Sequence, residues 1–170
     1  MRAINAEHAA VEILLTFGYS LAGRESDRDH AAYGLLPSFL DGMFAGRGSA
    51  ARIIDGYEFA YPFKTASAFE RGRAEILRDS DGRCEVGFGI WLDWNSGKLG
   101  WHDNPNDNWF SAEEFEQALR QALHQTDRYV WVYSERLNWW TGAHLPDAYV
   151  RALAAARRPA AERCGGSPPR

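Results

Sequence analysis

Tyr129-Val130-Trp131-Val132-Tyr133-Ser134-Glu135 reads as a strand that finishes on a carboxylate. Side chains alternate across a strand, so Trp131, Tyr133 and Glu135 share one face while Val130 and Val132 share the other. Two earlier stretches repeat the design: Ile53-Ile54-Asp55-Gly56-Tyr57-Glu58 and Val86-Gly87-Phe88-Gly89-Ile90-Trp91-Leu92-Asp93. A fourth, Glu12-Ile13-Leu14-Leu15-Thr16-Phe17-Gly18-Tyr19, ends on Gly-Tyr instead. The same counting groups Gly89, Trp91 and Asp93 opposite Phe88, Ile90 and Leu92, Gly56 with Glu58, and Thr16 with Gly18. One face is aliphatic and suits packing under helices. The other mixes glycine, aromatic rings and a terminal acid. Asp55 falls on the aliphatic face, where a buried hydrogen bond to backbone accounts for it.

Helical patterns separate these strands. Ser111-Ala112-Glu113-Glu114 is a capping box that opens a helix with Phe115, Ala118, Leu119, Ala122 and Leu123 on one face. A stripe of Phe69, Ile76 and Leu77 marks a second helix over residues 66–78. Pro37 starts a third that Gly46 closes, and Pro146 opens a last one expected to bury Tyr149, Val150 and Leu153. Strand and helix thus alternate four times, which predicts an α/β fold of four parallel βα units with right-handed crossovers. Helix-to-strand links are short, whereas two strand-to-helix links, residues 20–36 and 94–110, are long. Elaboration therefore gathers at the carboxyl ends of the strands, where α/β proteins place their ligands. Residues 1–157 form one domain in this reading, and the Pro, Gly, Arg and Ser-rich residues 158–170 form a disordered tail.

Composition narrows the function. Net charge is −4, without a Lys/Arg stripe interleaved with aromatics, which argues against nucleic acid. No apolar run approaches the roughly 20 residues of a membrane span. The first residues lack the pattern of a signal peptide, so the chain as written reads as cytoplasmic. Cys84 and Cys164 show no metal-ligand or redox spacing. A phosphate loop and a Gly-x-Ser-x-Gly elbow are also missing, so no cofactor is expected. Seven tryptophans in 170 residues are many, and they serve either the core or stacking surfaces.

The run Tyr129 to Glu135, followed by Asn138-Trp139-Trp140, resembles the last strand and loop of glycoside-hydrolase-type (β/α)8 barrels, and Asp55-Gly56-Tyr57-Glu58 looks like an earlier strand of one. The resemblance covers roughly residues 13–156 and points to an uncharacterised bacterial glycosidase-like group. A full barrel has eight strands in about 250 residues, so four strands look like its carboxyl-terminal half. By the same resemblance Asp93 stands where such enzymes carry a nucleophile. The strand that bears their acid/base would be missing. Half a barrel leaves two edge strands unpaired, which predicts self-association.

Glu135, Glu58 and Asp93 are the candidate catalytic carboxylates, because glycoside hydrolysis needs two acids facing one cavity. Burial of Glu135 beside Trp131 and Tyr133 would fit it for general-acid use. The structural alternatives are an ion pair of Glu135 with Arg136, one of Glu58 with Lys64, and a turn at Asp93 in which the side chain bonds backbone. Trp101, His102, Asn108, Trp109, Trp139, Trp140 and Tyr133 are the candidate sugar contacts, since indole faces stack on pyranose rings and amides bond hydroxyls. An ordinary polar loop anchored by tryptophans is the competing reading of residues 101–109. His102 with Asp103 and Asp107 lacks the glycine pattern of a calcium loop, so no metal is expected. Two functions follow: a domain that hydrolyses or binds a carbohydrate, or a truncated, non-catalytic barrel fragment that binds sugar weakly at best.

Overall fold

The computed structural model describes residues 1–24, 27, 29–94 and 101–158. In chain order its elements are α1 (Arg2–Glu7), β1 (Glu12–Leu15), α2 (Tyr19–Gly23), α3 (Leu36–Gly46), β2 (Arg52–Asp55), α4 (Ala66–Asp79), β3 (Glu85–Val86), β4 (Phe88–Trp91), α5 (Ala112–Gln125), β5 (Val130–Tyr133) and α6 (Asp147–Ala156). The fold is α/β, as expected. β1 pairs with β2, β2 with β3 and β4 with β5, all parallel. Residues 159–170 of the predicted tail, Cys164 among them, and the turn residues Asn95 to Gly97 lie outside the described residues.

β3 and β4 are one strand that changes partners at Gly87. The Gly87 N–H donates to the Asp55 carbonyl of β2 at 2.8 Å, while that of Phe88 donates to the Tyr129 carbonyl at 3.2 Å. β2 stops level with Val86, whereas β4 runs on to Trp91. Tyr57, in the left-handed region at φ 43°, turns the chain into a short 3-10 helix over Glu58–Ala60. Tyr61 then takes the vacated place beside β4, its carbonyl accepting from the Trp91 N–H at 3.3 Å. The sequence extended this strand to Glu58; a left-handed tyrosine ends it three residues sooner.

Side-chain parity divides the sheet as expected. Ile53, Val86, Phe88, Ile90 and Leu92 are buried in the core cluster with residues of the helices. Phe88 sits edge-on to Phe69 of α4 at 5.2 Å between centroids, and full burial of such a side chain contributes about 1.5–3 kcal/mol. The capping box starts α5: Ser111 Oγ accepts from the Glu114 N–H at 3.2 Å, and Glu114 Oε2 accepts from that of Ser111 at 3.0 Å. α5 and α6 pack through Phe115 and Tyr149, 5.9 Å apart. Tyr149, Ala152 and Ala156 face inward on α6, but Val150, expected in the core, is exposed and Leu153 is half-buried. Asp55 is buried with its carboxylate, accepting from Ser20 Oγ at 2.8 Å and the Tyr57 N–H at 3.0 Å. Desolvation raises its pKa against these bonds. A Cβ on Gly18 would fall 2.2 Å from Asp55 Oδ2, so only glycine fits where β1 turns into α2.

The other face is uncovered and curved. In a flat sheet β1 and β5 would lie about 14 Å apart, three strand spacings, with side chains standing upright. Instead the Tyr129 hydroxyl donates to Glu12 Oε2, and Arg128 Nη1 pairs with Glu12 Oε1 at 2.8 Å. The first and last strands therefore curl toward each other at their amino ends.

Candidate functional site

On the uncovered face, at the carboxyl ends of the strands, lies an open cavity of about 510 Å3 lined by Thr16, Glu58, Tyr61, Trp91, Trp131, Tyr133 and Glu135. Two glycines make its floor. Trp131 of β5 lies across Gly89 and donates from its indole Nε1 to the Gly56 carbonyl at 2.9 Å. A Cβ on Gly89 would stand 2.7 Å from the Trp131 ring, and one on Gly56 2.9 Å from its nitrogen. A glycine in β4 and one just past the end of β2 thus let the largest side chain of β5 lie flat.

Tyr61 is the hub of the aromatic lining. Its ring stacks on Tyr133 at 5.7 Å and meets Trp91 and Trp131 edge-on, each at 5.5 Å. Each tyrosine of the stack also lies beside one of the two glutamates. Tyr61 neighbours Glu58, whose charge acts on its phenol, and the Tyr133 hydroxyl donates to Glu135 Oε1 at 3.2 Å. Desolvation first, then Glu58, push the Tyr61 phenol well above its ordinary range. Tyr133 is raised too, by desolvation and then by Glu135, with smaller effects from Asp93 and Glu58. Both phenols stay protonated at neutral pH and can donate. Among the described residues no lysine or arginine lines the cavity, and the polar character of that lining comes from two carboxylates and hydroxyl groups.

Of the three expected carboxylates, the structure brings Glu58 and Glu135 together and leaves Asp93 out of the lining. Asp93 is only 4% exposed. Its carboxylate accepts from the indole of Trp91 at 2.7 Å and from the N–H groups of Glu135 at 2.9 Å and Arg136 at 2.6 Å. It clamps the turn after β4 to the turn after β5 and so positions Glu135. The expected burial of Glu135 is corrected as well: the side chain is exposed, because β5 ends at Tyr133 and Glu135 sits two residues beyond it. Lys64 does not pair with Glu58; it binds Glu114 at 3.0 Å and lies over the Trp109 ring at 4.7 Å.

The candidate sugar contacts scatter. Only Tyr133 lines the cavity. Asn108 is nearly buried; its side chain spans the His102 backbone, accepting from N–H at 2.8 Å and donating to the carbonyl at 2.9 Å, and reaches the Tyr149 hydroxyl at 3.1 Å. Trp101 packs on Tyr149 at 5.6 Å, and the Trp109 indole donates to the Pro62 carbonyl at 3.2 Å. These residues pack against one another and the end of the core, although the buried Trp101 indole N–H has no hydrogen-bond partner among the described residues. Trp139 packs partly buried against the core, while Trp140 is 97% exposed on the loop after β5, outside the cavity lining. Tyr61 and Thr16 were missed as lining residues. Tyr61 had a signal, as the middle aromatic of Phe59-Ala60-Tyr61-Pro62-Phe63 directly after Glu58.

Cys84 is buried, and desolvation with the nearby Asp55 charge raises its thiol to about 12, so it is inert. Among the described residues no cluster of three or more His, Cys, Asp or Glu is placed to hold a metal ion, and no helix is long and apolar enough to cross a membrane. No protein-family model, curated protein or solved structure matches this chain.

Proposed function

We propose that the cavity over Gly56 and Gly89 binds a carbohydrate and that the domain is half of a (β/α)8-type barrel. One observation carries the reading: two glutamates, each beside a tyrosine of a single stacked pair, border one open cavity walled by Trp91 and Trp131. Aromatic faces suit the C–H surfaces of a pyranose, and carboxylates accept from its hydroxyls. The described lining, with two acids and no base among those residues, disfavours anionic ligands, so neutral or amino sugars fit better than uronic acids or sulfated glycans. As a hydrolase the site would use Glu58 and Glu135 as its carboxylate pair, one protonating the glycosidic oxygen and the other serving as base or nucleophile. Asp93 acts only by holding Glu135.

The exposure of Glu135 favours a second reading, binding without hydrolysis, because an acid open to water lacks the desolvation that suits a general acid. Tryptophan fluorescence titrated with neutral, amino-bearing and uronate oligosaccharides tests binding. Release of nitrophenol from aryl glycosides tests hydrolysis. Saturable quenching by neutral or amino sugars, lost in Trp131→Ala, is the expected result. Quenching by uronates alone, or by no saccharide, would overturn the reading.

A further inference from the structure

The half-barrel geometry just proposed, though not its carbohydrate chemistry, leads to a partner. The large apolar side chains exposed among the described residues all lie within residues 4–39 or 123–150, and none lies between. The central units of the sheet are covered; its two ends are not. At the start of α3, Leu35 just before the helix is 85% and Phe39 within it 62% exposed, one turn apart. On α6, Val150 is 45% exposed and is followed one and two turns later by the exposed Ala154 and Arg157. β1 and β5, which belong to these same ends, each pair with one neighbour among the described residues. The charges differ between the ends: among the described residues, 1–46 hold five acids and two arginines, and 123–158 hold three acids and five arginines.

We infer that a second copy of this chain covers both ends. The β5–α6 end of each copy meets the β1–α3 end of the other about a two-fold axis running along the strands. Such an axis keeps every strand parallel and repeats the contact twice, so eight strands close into a ring with no free edge. Each copy carries both halves of the contact: a basic end and an acidic end, each with an apolar helix stripe and an unpaired strand edge. The inward curl that lets Tyr129 reach Glu12 bends the sheet in the sense that closure requires. The site is incomplete without the partner, since closure turns the open cavity into the mouth of a shared barrel bordered by Glu58 and Glu135 of both copies.

Sedimentation velocity on the full chain at micromolar concentration tests this. The wild type is expected to be a dimer. Phe39→Glu and Val150→Glu alter opposite ends at exposed positions, and each alone should weaken the dimer at least tenfold, as circular dichroism confirms an unchanged fold. An equimolar mixture of the two variants should recover a dimer, because one of its two contacts joins two unaltered ends. Arg157→Glu, which removes no apolar group, should weaken the dimer at low salt more than at high salt. A monomeric wild type overturns the inference, and so does a dimer that only one of the two glutamate substitutions disrupts, which would mean like ends meet. A dimer that binds no saccharide leaves the assembly standing and removes the carbohydrate reading. A saccharide-binding monomer does the reverse.

Discussion

On the helix-covered face of the sheet Val86, Phe88 and Ile90 are fully buried, whereas on the opposite face Leu14, Thr16 and Tyr133 remain exposed, although both sets come from one group of short parallel strands. The first face is built from aliphatic and phenyl side chains and closes on α4 and α5. The second sets glycine, tryptophan and tyrosine beside Leu14, Thr16 and the buried Ile54, and stays open at the carboxyl ends of the strands. Because the pleat alternates, one strand can feed a core with its even positions and a ligand surface with its odd ones. Stability and recognition should therefore separate by parity, and substitutions can break that separation.

The largest effect is expected on the covered face. Phe88→Ala removes a ring held by Phe69 and Tyr57 at 5.2 and 6.0 Å and should cost about 3–5 kcal/mol, read from urea unfolding. A cost under about 1 kcal/mol would mean that the two faces are not as unequal as their burial. Asp93→Ala comes next. It leaves the Trp91 indole and two backbone N–H groups without their acceptor, at about 2–3 kcal/mol. If that substitution left stability intact and abolished ligand binding, Asp93 would belong to the site after all.

How far the sequence disclosed this arrangement depends on the range of the forces involved. Strand faces were legible, since alternation is local, and so was α5, whose capping box needs only Ser111 and Glu114. Strand ends were not. Nothing local marks Tyr57 for a left-handed turn, and without that turn Glu58 reads as a strand terminus rather than part of a 3-10 helix. The role of Tyr61 depends on β3 and β4 changing partners at Gly87, a pairing decision made between distant segments. Residues 101–109 misled for a different reason. Asn, Asp and Trp have the same composition whether they await a sugar or bond one another, and only the contacts of Asn108 distinguish the two. The Val150 error is one of helix phase: the stripe through Tyr149, Ala152 and Ala156 leaves it outside.

Between the two faces in effect lies the Glu75 cluster, where Arg24 binds both carboxylate oxygens and the Tyr57 hydroxyl donates at 2.7 Å. Burial works to raise the Glu75 pKa, but the bonds from Arg24 and Tyr57 outweigh it and hold the carboxyl below its ordinary range. A depressed carboxylate contributes stability that is fully present above its unfolded pKa and is lost as pH falls through the folded one. Glu75→Gln should therefore cost roughly 1–2 kcal/mol at neutral pH, with the difference from wild type shrinking in acid. Unfolding curves for both proteins from neutral to acidic pH check this, and a difference that stays constant with pH would remove the ionic account.

The smallest effect on stability, and the most informative one, is expected from Glu135→Gln. Glu135 is exposed, and its side chain bonds only the neighbouring Tyr133 hydroxyl among the contacts described, at 3.2 Å. The amide keeps the shape and an acceptor oxygen, so stability should change by less than about 0.5 kcal/mol. The turn that carries residue 135 is held through its backbone N–H by Asp93, which the substitution does not touch. Removing the charge should nevertheless show in the cavity. Binding of an amino sugar should weaken more than that of its neutral counterpart, since only the former gains from a second carboxylate. Any aryl-glycoside hydrolysis should disappear, because an amide can neither donate the proton nor accept it. Equal losses for both sugars would limit Glu135 to hydrogen bonding. A large loss of stability with unchanged binding would show that the open face carries structural load, and the division of the sheet into a supporting face and a recognising face would fail at the residue where it is drawn most sharply.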